Sequence, residues 1–162
     1  MQTHIRAMSR FAIVALTLVF AGTALAQSSQ TNFGTWKLNL AKSTYSTGTA
    51  PKSSTFTNEA AGKGVKTTAD SISAEGTVMH STYTVIYDGI DKPITGNATS
   101  GDVVSATRLD ANTVRSIYKK NGKVTVTMTS VVSKDGKVLT LTVKGTNTLG
   151  QAINTVAVYD KQ

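Results

Sequence analysis

The chain has 162 residues, with 17 Lys plus Arg against 9 Asp plus Glu, 40% hydrophobic residues, two prolines and no cysteine. Without cysteine there are no disulfide staples, thiol nucleophiles, redox dithiols or thiolate metal sites. The basic balance would attract acidic polymers, but arginine is scarce after residue 26 and no aromatic residues interleave with the lysines, which speaks against nucleic acid as a partner and reads as a solvated surface with Lys guarding strand edges.

The first segment reads as a targeting signal. Residues 1–10 carry Arg6 and Arg10 and no acidic residue, 11–22 are an apolar run, and Ala24-Leu25-Ala26 is a small-x-small cleavage site. This layout predicts a secretory signal peptide over 1–26. The run falls short of the roughly 20 residues that a spanning helix needs, so no stable membrane insertion is expected, and with no cysteine after it a lipoprotein anchor is excluded. Residues 27–162 then form a single exported domain, periplasmic or extracellular and bacterial in type, with a net charge of +6.

In chain order, 33–39 reads as a first strand. Residues 40–52 are rich in Ser, Thr and Gly, a connector with room for one turn of helix around 41–45. Strands follow over 53–59, 65–71 and 77–87, a short fragment over 93–95, then 103–109, 113–119, 124–132, 138–145 and 152–159. Between them lie Glu75-Gly76, Asp88-Gly89, Asp110-Ala111-Asn112, Asn121-Gly122, Asp135-Gly136 and 147–150. Asn-Gly and Asp-Gly pairs tolerate the positive φ of tight hairpin loops, and the flanking Val, Thr and Tyr suit a half-buried pleated surface. The prediction is an all-β, about ten-stranded antiparallel up-and-down meander that closes into a barrel and so removes its edges. A two-sheet β-sandwich is the alternative.

Period-two alternation assigns faces. Met79, Ser81, Tyr83, Val85 and Tyr87 share one face of their strand, as do Val124, Val126, Met128 and Val132 of another, and Leu139, Leu141 and Val143 of a third. These are read as inward. On the last strand Ile153, Thr155, Ala157 and Tyr159 oppose Asn154, Val156, Val158 and Asp160.

Phe33-Gly34-Thr35-Trp36-Lys37-Leu38 resembles the opening of the calycin superfamily, the lipocalins and intracellular fatty-acid-binding proteins, whose first strand begins Gly-x-Trp. The ending Val158-Tyr159-Asp160-Lys161 resembles that of the fatty-acid-binding branch. The chain is also similar to exported bacterial lipocalin-like proteins that share a Gly-Thr-Trp-Lys-Leu-Asn opening and a Lys-Asp-Gly-Lys hairpin. The resemblance implies a barrel with Gly34 and Trp36 as its plug and a small ligand inside. Two departures limit it. The 13 residues of 40–52 cannot hold the helix-pair lid of fatty-acid-binding proteins, and the arginine of their carboxylate-binding triplet matches Ala157, leaving only Tyr159.

Catalytic candidates are few. His80 is the only His after residue 26, expected on an outward face with no neighbouring carboxylate, which makes it a poor base and no zinc site. Asp88, Asp110 and Asp135 sit in turns, and Glu59 and Glu75 form no obvious acid–base pair. There is no Gly-x-Ser-x-Gly elbow and no phosphate loop. The expectation is a non-catalytic protein with no metal or cofactor, binding a small, largely apolar ligand in its interior. Met79, Tyr83, Val85, Tyr87, Arg108, Tyr118, Met128, Leu141 and Tyr159 would line the site, with Tyr87 and Tyr159 at its mouth. The alternative is a solid barrel whose loops, chiefly 40–52 and 94–102, contact acidic envelope polysaccharide, lipid head groups or another protein.

Overall fold

A computed structural model describes residues 31–45, 50–146, 150 and 152–162. The expected signal segment 1–26 and parts of the loops at 46–49 and 147–149 lie outside the described residues. The described chain is all strand and turn: β1 (Gly34–Tyr45), β2 (Ser53–Ala61), β3 (Gly64–Ile72), β4 (Val78–Val85), β5 (Lys92–Pro93), β6 (Thr95–Gly96), β7 (Val103–Arg108), β8 (Thr113–Lys120), β9 (Lys123–Val132), β10 (Val138–Thr146) and β11 (Ala152–Lys161). It contains no helix.

All eleven strands belong to one antiparallel sheet in the order β5-β7-β8-β9-β10-β11-β1-β2-β3-β4-β6. The first and last long strands pair, Trp36 opposite Lys161 and Leu38 opposite Tyr159. The outermost strands β5 and β6 are consecutive in the chain, so the sheet curls back on itself and is a nearly closed barrel rather than a two-sheet sandwich. The count exceeds ten because the fragment expected at 93–95 is two strands, one on each side of Ile94.

That fragment is the seam. Lys92 and Pro93 pair with Val104 and Val103 of β7, and Thr95 and Gly96 pair with Thr82 and Ser81 of β4. Four residues thus bridge β4 and β7, which share no ladder of their own. Gly96 makes the approach possible: at φ +97° its missing Cβ would lie 2.1 Å from the His80 carbonyl oxygen. The Asp88-Gly89 pair, read as a hairpin turn, instead starts this excursion. It is preceded by Tyr87 at φ 58°, a conformation that bulky side chains rarely adopt.

Elsewhere the turn chemistry holds. Asn121 and Gly122 have φ of 51° and 75°, the two positive values that a type I′ hairpin requires. Asp88, Asp110 and Asp135 each accept a backbone N–H two residues on, from Ile90, Asn112 and Lys137, which fixes the turn locally.

The helical turn expected at 41–45 does not form. β1 continues through it with a bulge between Asn39 and Thr44. Side chains replace the lost ladder bonds: the Lys42 N–H donates to Asn39 Oδ1, Ser43 Oγ donates to the Asn39 carbonyl, and Ser43 Oγ accepts from the Val158 N–H. Asn39 Nδ2 and Lys42 Nζ both reach the Asp160 carboxylate, at 2.6 and 3.2 Å.

The inward faces form two buried clusters. Trp36, Val132, Leu139, Leu141, Ala157 and Tyr159 make one, and Val85, Val104, Ala106, Val114, Tyr118 and Val126 the other. Met128 and Val143 pack against both. Each fully buried aliphatic side chain contributes roughly 1.5–3 kcal/mol of transfer free energy. Val124 departs from the expected face and is 59% exposed, because the β8–β9 register shifts between Tyr118 and Lys119.

Candidate functional site

The two ends of the barrel differ. At the end where β1 begins, Trp36 is fully buried and its indole N–H donates to the Asn32 carbonyl, 2.9 Å away. The same oxygen accepts from Asn58 Nδ2, whose Oδ1 accepts from the Thr67 hydroxyl. Asn32 Nδ2 donates to the Tyr87 hydroxyl at 2.9 Å. Lys161 Nζ lies 5.1 Å from the centre of the Trp36 ring, within cation–π range. Gly34, at φ +113°, lets this lysine pass: a Cβ there would meet Lys161 Cε at 2.9 Å. Trp36 thus fills this end of the barrel, and Gly34 makes room for the lysine that covers it. The space left at this end is about 60 Å³, lined in part by Asn32, Thr67, Val85, Tyr87, Val114 and Leu139.

At the other end a cavity of about 590 Å³ opens between the 73–77 turn, residues 98–100, Pro51 and the start of β11. Its walls carry Phe56, Met79, Ile94, Val126, Met128, Leu141, Val143, Ile153 and Ala157, four tyrosines (Tyr45, Tyr83, Tyr118 and Tyr159), and the hydroxyls of Ser54, Ser71, Ser81 and Thr155. Phe56, Tyr83, Met128 and Leu141 line both spaces and form the partition between them. Volume and lining suit a drug-sized molecule, since such pockets run roughly 300–1,000 Å³ with apolar walls and a few polar groups.

The inner tyrosine hydroxyls are paired. Tyr83 and Tyr118 meet hydroxyl to hydroxyl at 3.1 Å with their rings nearly perpendicular. Tyr159 donates to Ser54 Oγ at 3.1 Å while its ring packs on Phe56. Desolvation pushes all three phenols above their ordinary range, and at Tyr118 the neighbouring Tyr83 adds to the effect. A phenol so displaced stays neutral at any pH near 7, a donor and acceptor rather than a charge.

Of the residues read from the sequence, Met79, Tyr83, Tyr118, Met128, Leu141 and Tyr159 come together around this cavity. Val85 and Tyr87 do not; they line the small space at the plugged end. Arg108 lines neither. Its guanidinium lies 4.4 Å from the centre of the Tyr87 ring, and Nη1 donates to the Ala111 carbonyl. The placement of Tyr87 and Tyr159 at a mouth is corrected on both counts. Tyr87 sits at the opposite end, and Tyr159 is buried two residues before Lys161, whose register partner is Trp36. Alternation reports a face but not an end, so it could not separate these residues. The small residues Ala69, Ser71, Ser81 and Ala157, which make room for the cavity, were missed as site residues. Their signal was the alternation itself: small side chains on an inward face leave space.

His80 is outward, but it does have a neighbouring carboxylate. Asp70 is its cross-strand partner, and His80 Nδ1 lies 2.6 Å from Asp70 Oδ1, both side chains being mostly exposed. The pair lies on the outer surface with no cleft over it among the described pockets. No group of three or more His, Asp or Glu capable of holding a metal occurs among the described residues. Comparisons with protein-family models, with curated proteins and with solved structures gave no match for this chain.

Proposed function

We propose that the protein is a non-catalytic carrier or sensor that holds a small, largely apolar molecule in the 590 Å³ cavity. The observation that carries this reading is the contrast within one barrel: one end is filled by Trp36 and its hydrogen-bonded neighbours, while the other keeps a roomy space behind an opening. The walls offer apolar contact and paired hydroxyls, the composition of a binding pocket rather than of a reacting centre. No nucleophile–base pair faces the cavity among the described residues; the one His–carboxylate pair lies outside. The Gly34-x-Trp36 opening and the plugging position of both residues agree with a lipocalin-like protein. The signal-type segment 1–26 completes the reading, with residues 27–162 working outside the cytoplasm.

The test is saturable binding of a neutral apolar fluorophore, N-phenylnaphthylamine. One-to-one emission gain is expected, with a melting temperature that rises with probe concentration, because a ligand that binds only the folded state stabilises it by about 2.7 kcal/mol at a hundredfold excess over Kd. Met128→Trp, which pushes an indole from the partition into the cavity, should abolish both signals while leaving the strand-type circular dichroism intact. If wild type and Met128→Trp respond alike, the barrel is a scaffold, and its loops become the place to look for an envelope polymer or protein partner. Sequencing the N-terminus of protein exported by a bacterial host tests the cleavage before Gln27.

A further inference from the structure

Charge is distributed unevenly across the wall of this barrel. The chain has 17 Lys plus Arg, yet none of them lines the large cavity among the described residues. Lysines are held outside by carboxylates: Lys92 with Asp88, Lys119 with Asp91, Lys120 with Asp102 and Lys42 with Asp160. Arg108 is turned onto Tyr87 at the plugged end. By sequence, 46–49, 147–149 and 151 contain only Ser, Thr, Gly, Asn, Leu and Gln. Among the described residues the one carboxylate or cation on the lining is Glu75, in the turn at the opening.

We infer that the cavity takes uncharged hydrophobic molecules bearing hydroxyl or carbonyl groups and turns away anionic amphiphiles such as fatty-acid carboxylates. The inference rests on the cavity reading above and names its ligand class. An anion entering past the turn at the opening, where Lys52 Nζ lies beside Gly76, leaves water and that lysine behind and meets no cation on the cavity lining among the described residues. Burying a charge without a partner is strongly unfavourable, whereas a hydroxyl or carbonyl needs only a hydrogen bond. Such bonds are on offer from two sides. The Tyr83–Tyr118 pair lies on one wall, and Tyr159 with Ser54 on another, with Ser71, Ser81 and Thr155 nearby. Ala157 stands beside Tyr159 on the lining, where a longer basic residue would reach the interior. The basic exterior adds no contradiction, because surface lysines act on anions in solution and not on what fits between the strands.

Two probes that share a ring system separate the possibilities. N-phenylnaphthylamine is neutral; anilinonaphthalenesulfonate is the same skeleton with a sulfonate. Both are titrated by fluorescence at high salt, which screens the outer lysines, against wild type and the cavity-filled Met128→Trp variant. The neutral probe is expected to bind roughly tenfold or more tightly than the sulfonate, with the difference lost in Met128→Trp. Met128→Lys, similar in length to methionine, places a cation on the partition and should raise sulfonate affinity while lowering that of the neutral probe. Sulfonate binding as tight as the neutral probe's, and sensitive to Met128→Trp, overturns the inference while leaving the cavity reading standing. A folded Met128→Lys barrel with no gain for the sulfonate also counts against it. If neither probe responds to Met128→Trp, the cavity reading itself fails and this inference with it.

Discussion

At the plugged end the barrel interior is occupied by Trp36, Asn32, Asn58, Thr67 and Tyr87, joined by hydrogen bonds from indole to carbonyl to amide to hydroxyl. At the open end the corresponding inward positions are Ala69, Ser71, Ser81, Ala98 and Ala157. The ladder is the same kind of antiparallel pairing throughout; β2, β3 and β4 run unbroken from one end to the other. What differs is side-chain volume. A closed sheet of this size can be filled or hollow, and here residue size decides it locally. The filled end should carry stability, and the hollow end should have little stability to lose.

The sharpest break of that comparison is Trp36→Ala. Removing a fully buried indole and its bond to Asn32 should cost about 3–5 kcal/mol, read as a lower urea midpoint. Next come paired truncations. Leu139→Ala, buried in one cluster with Trp36 and bordering only the small space, should cost about 2–4 kcal/mol, while Ile153→Ala on the cavity wall should cost about 1 kcal/mol or less, since a side chain bordering empty space has fewer dispersion contacts to lose. Equal losses would mean that the open end is packed. Tyr159→Phe is gentler. It keeps the ring against Phe56 and gives up the bond to Ser54, so about 1 kcal/mol is expected, and a larger effect on binding than on stability would place the hydroxyl in the ligand's path.

The smallest effects per residue lie in the turns. Asp88, Asp110, Asp135 and Asp160 are held below the usual carboxylate range, the first two mainly by backbone N–H groups, Asp135 first by Ser133 and Asp160 first by Asn39. A carboxylate whose folded pKa is depressed contributes stability that is present above its unfolded value near 4 and is lost as pH falls through the folded value. The melting temperature should therefore decline below about pH 4, and Asp110→Asn with Asp135→Asn should flatten that decline. All four groups are at the surface, so each contributes little.

The sequence made the architecture legible because turn chemistry and alternation are local. Asn121-Gly122 specified its hairpin, and Met79, Ser81, Tyr83 and Val85 specified a face. Where the reading failed, the determinant was a partner distant in sequence. Residues 41–45 are strand because Asp160 and Val158 hold the bulge. Val124 is exposed because β8 shifts its register against β9. Tyr87 keeps its inward face but lies at the filled end, where Asn32, 55 residues away, bonds its hydroxyl. His80 gained a carboxylate from across the sheet, Asp70. The cavity was half legible: its large residues announced themselves, and its small ones, which make the space, did not.

The seam and the pairing of β1 with β11 together mean that chain order and neighbour order nearly coincide. β1 starts where β11 stops, with the Gln162 N–H bonded to the Thr35 carbonyl at 2.9 Å. A circular permutant running from Asn97 to Gln162, through a short linker, then from Thr31 to Gly96 would make each long ladder a pairing of consecutive strands, leaving only the two-residue β5 to return across the chain to β7. The β1–β11 ladder, which joins residues more than a hundred apart in the native order, would become a hairpin, and its loop-closure entropy would shrink. Contact order governs folding speed more than stability. Such a permutant should refold faster in stopped-flow mixing without gaining stability, the price of the natural order being paid in time.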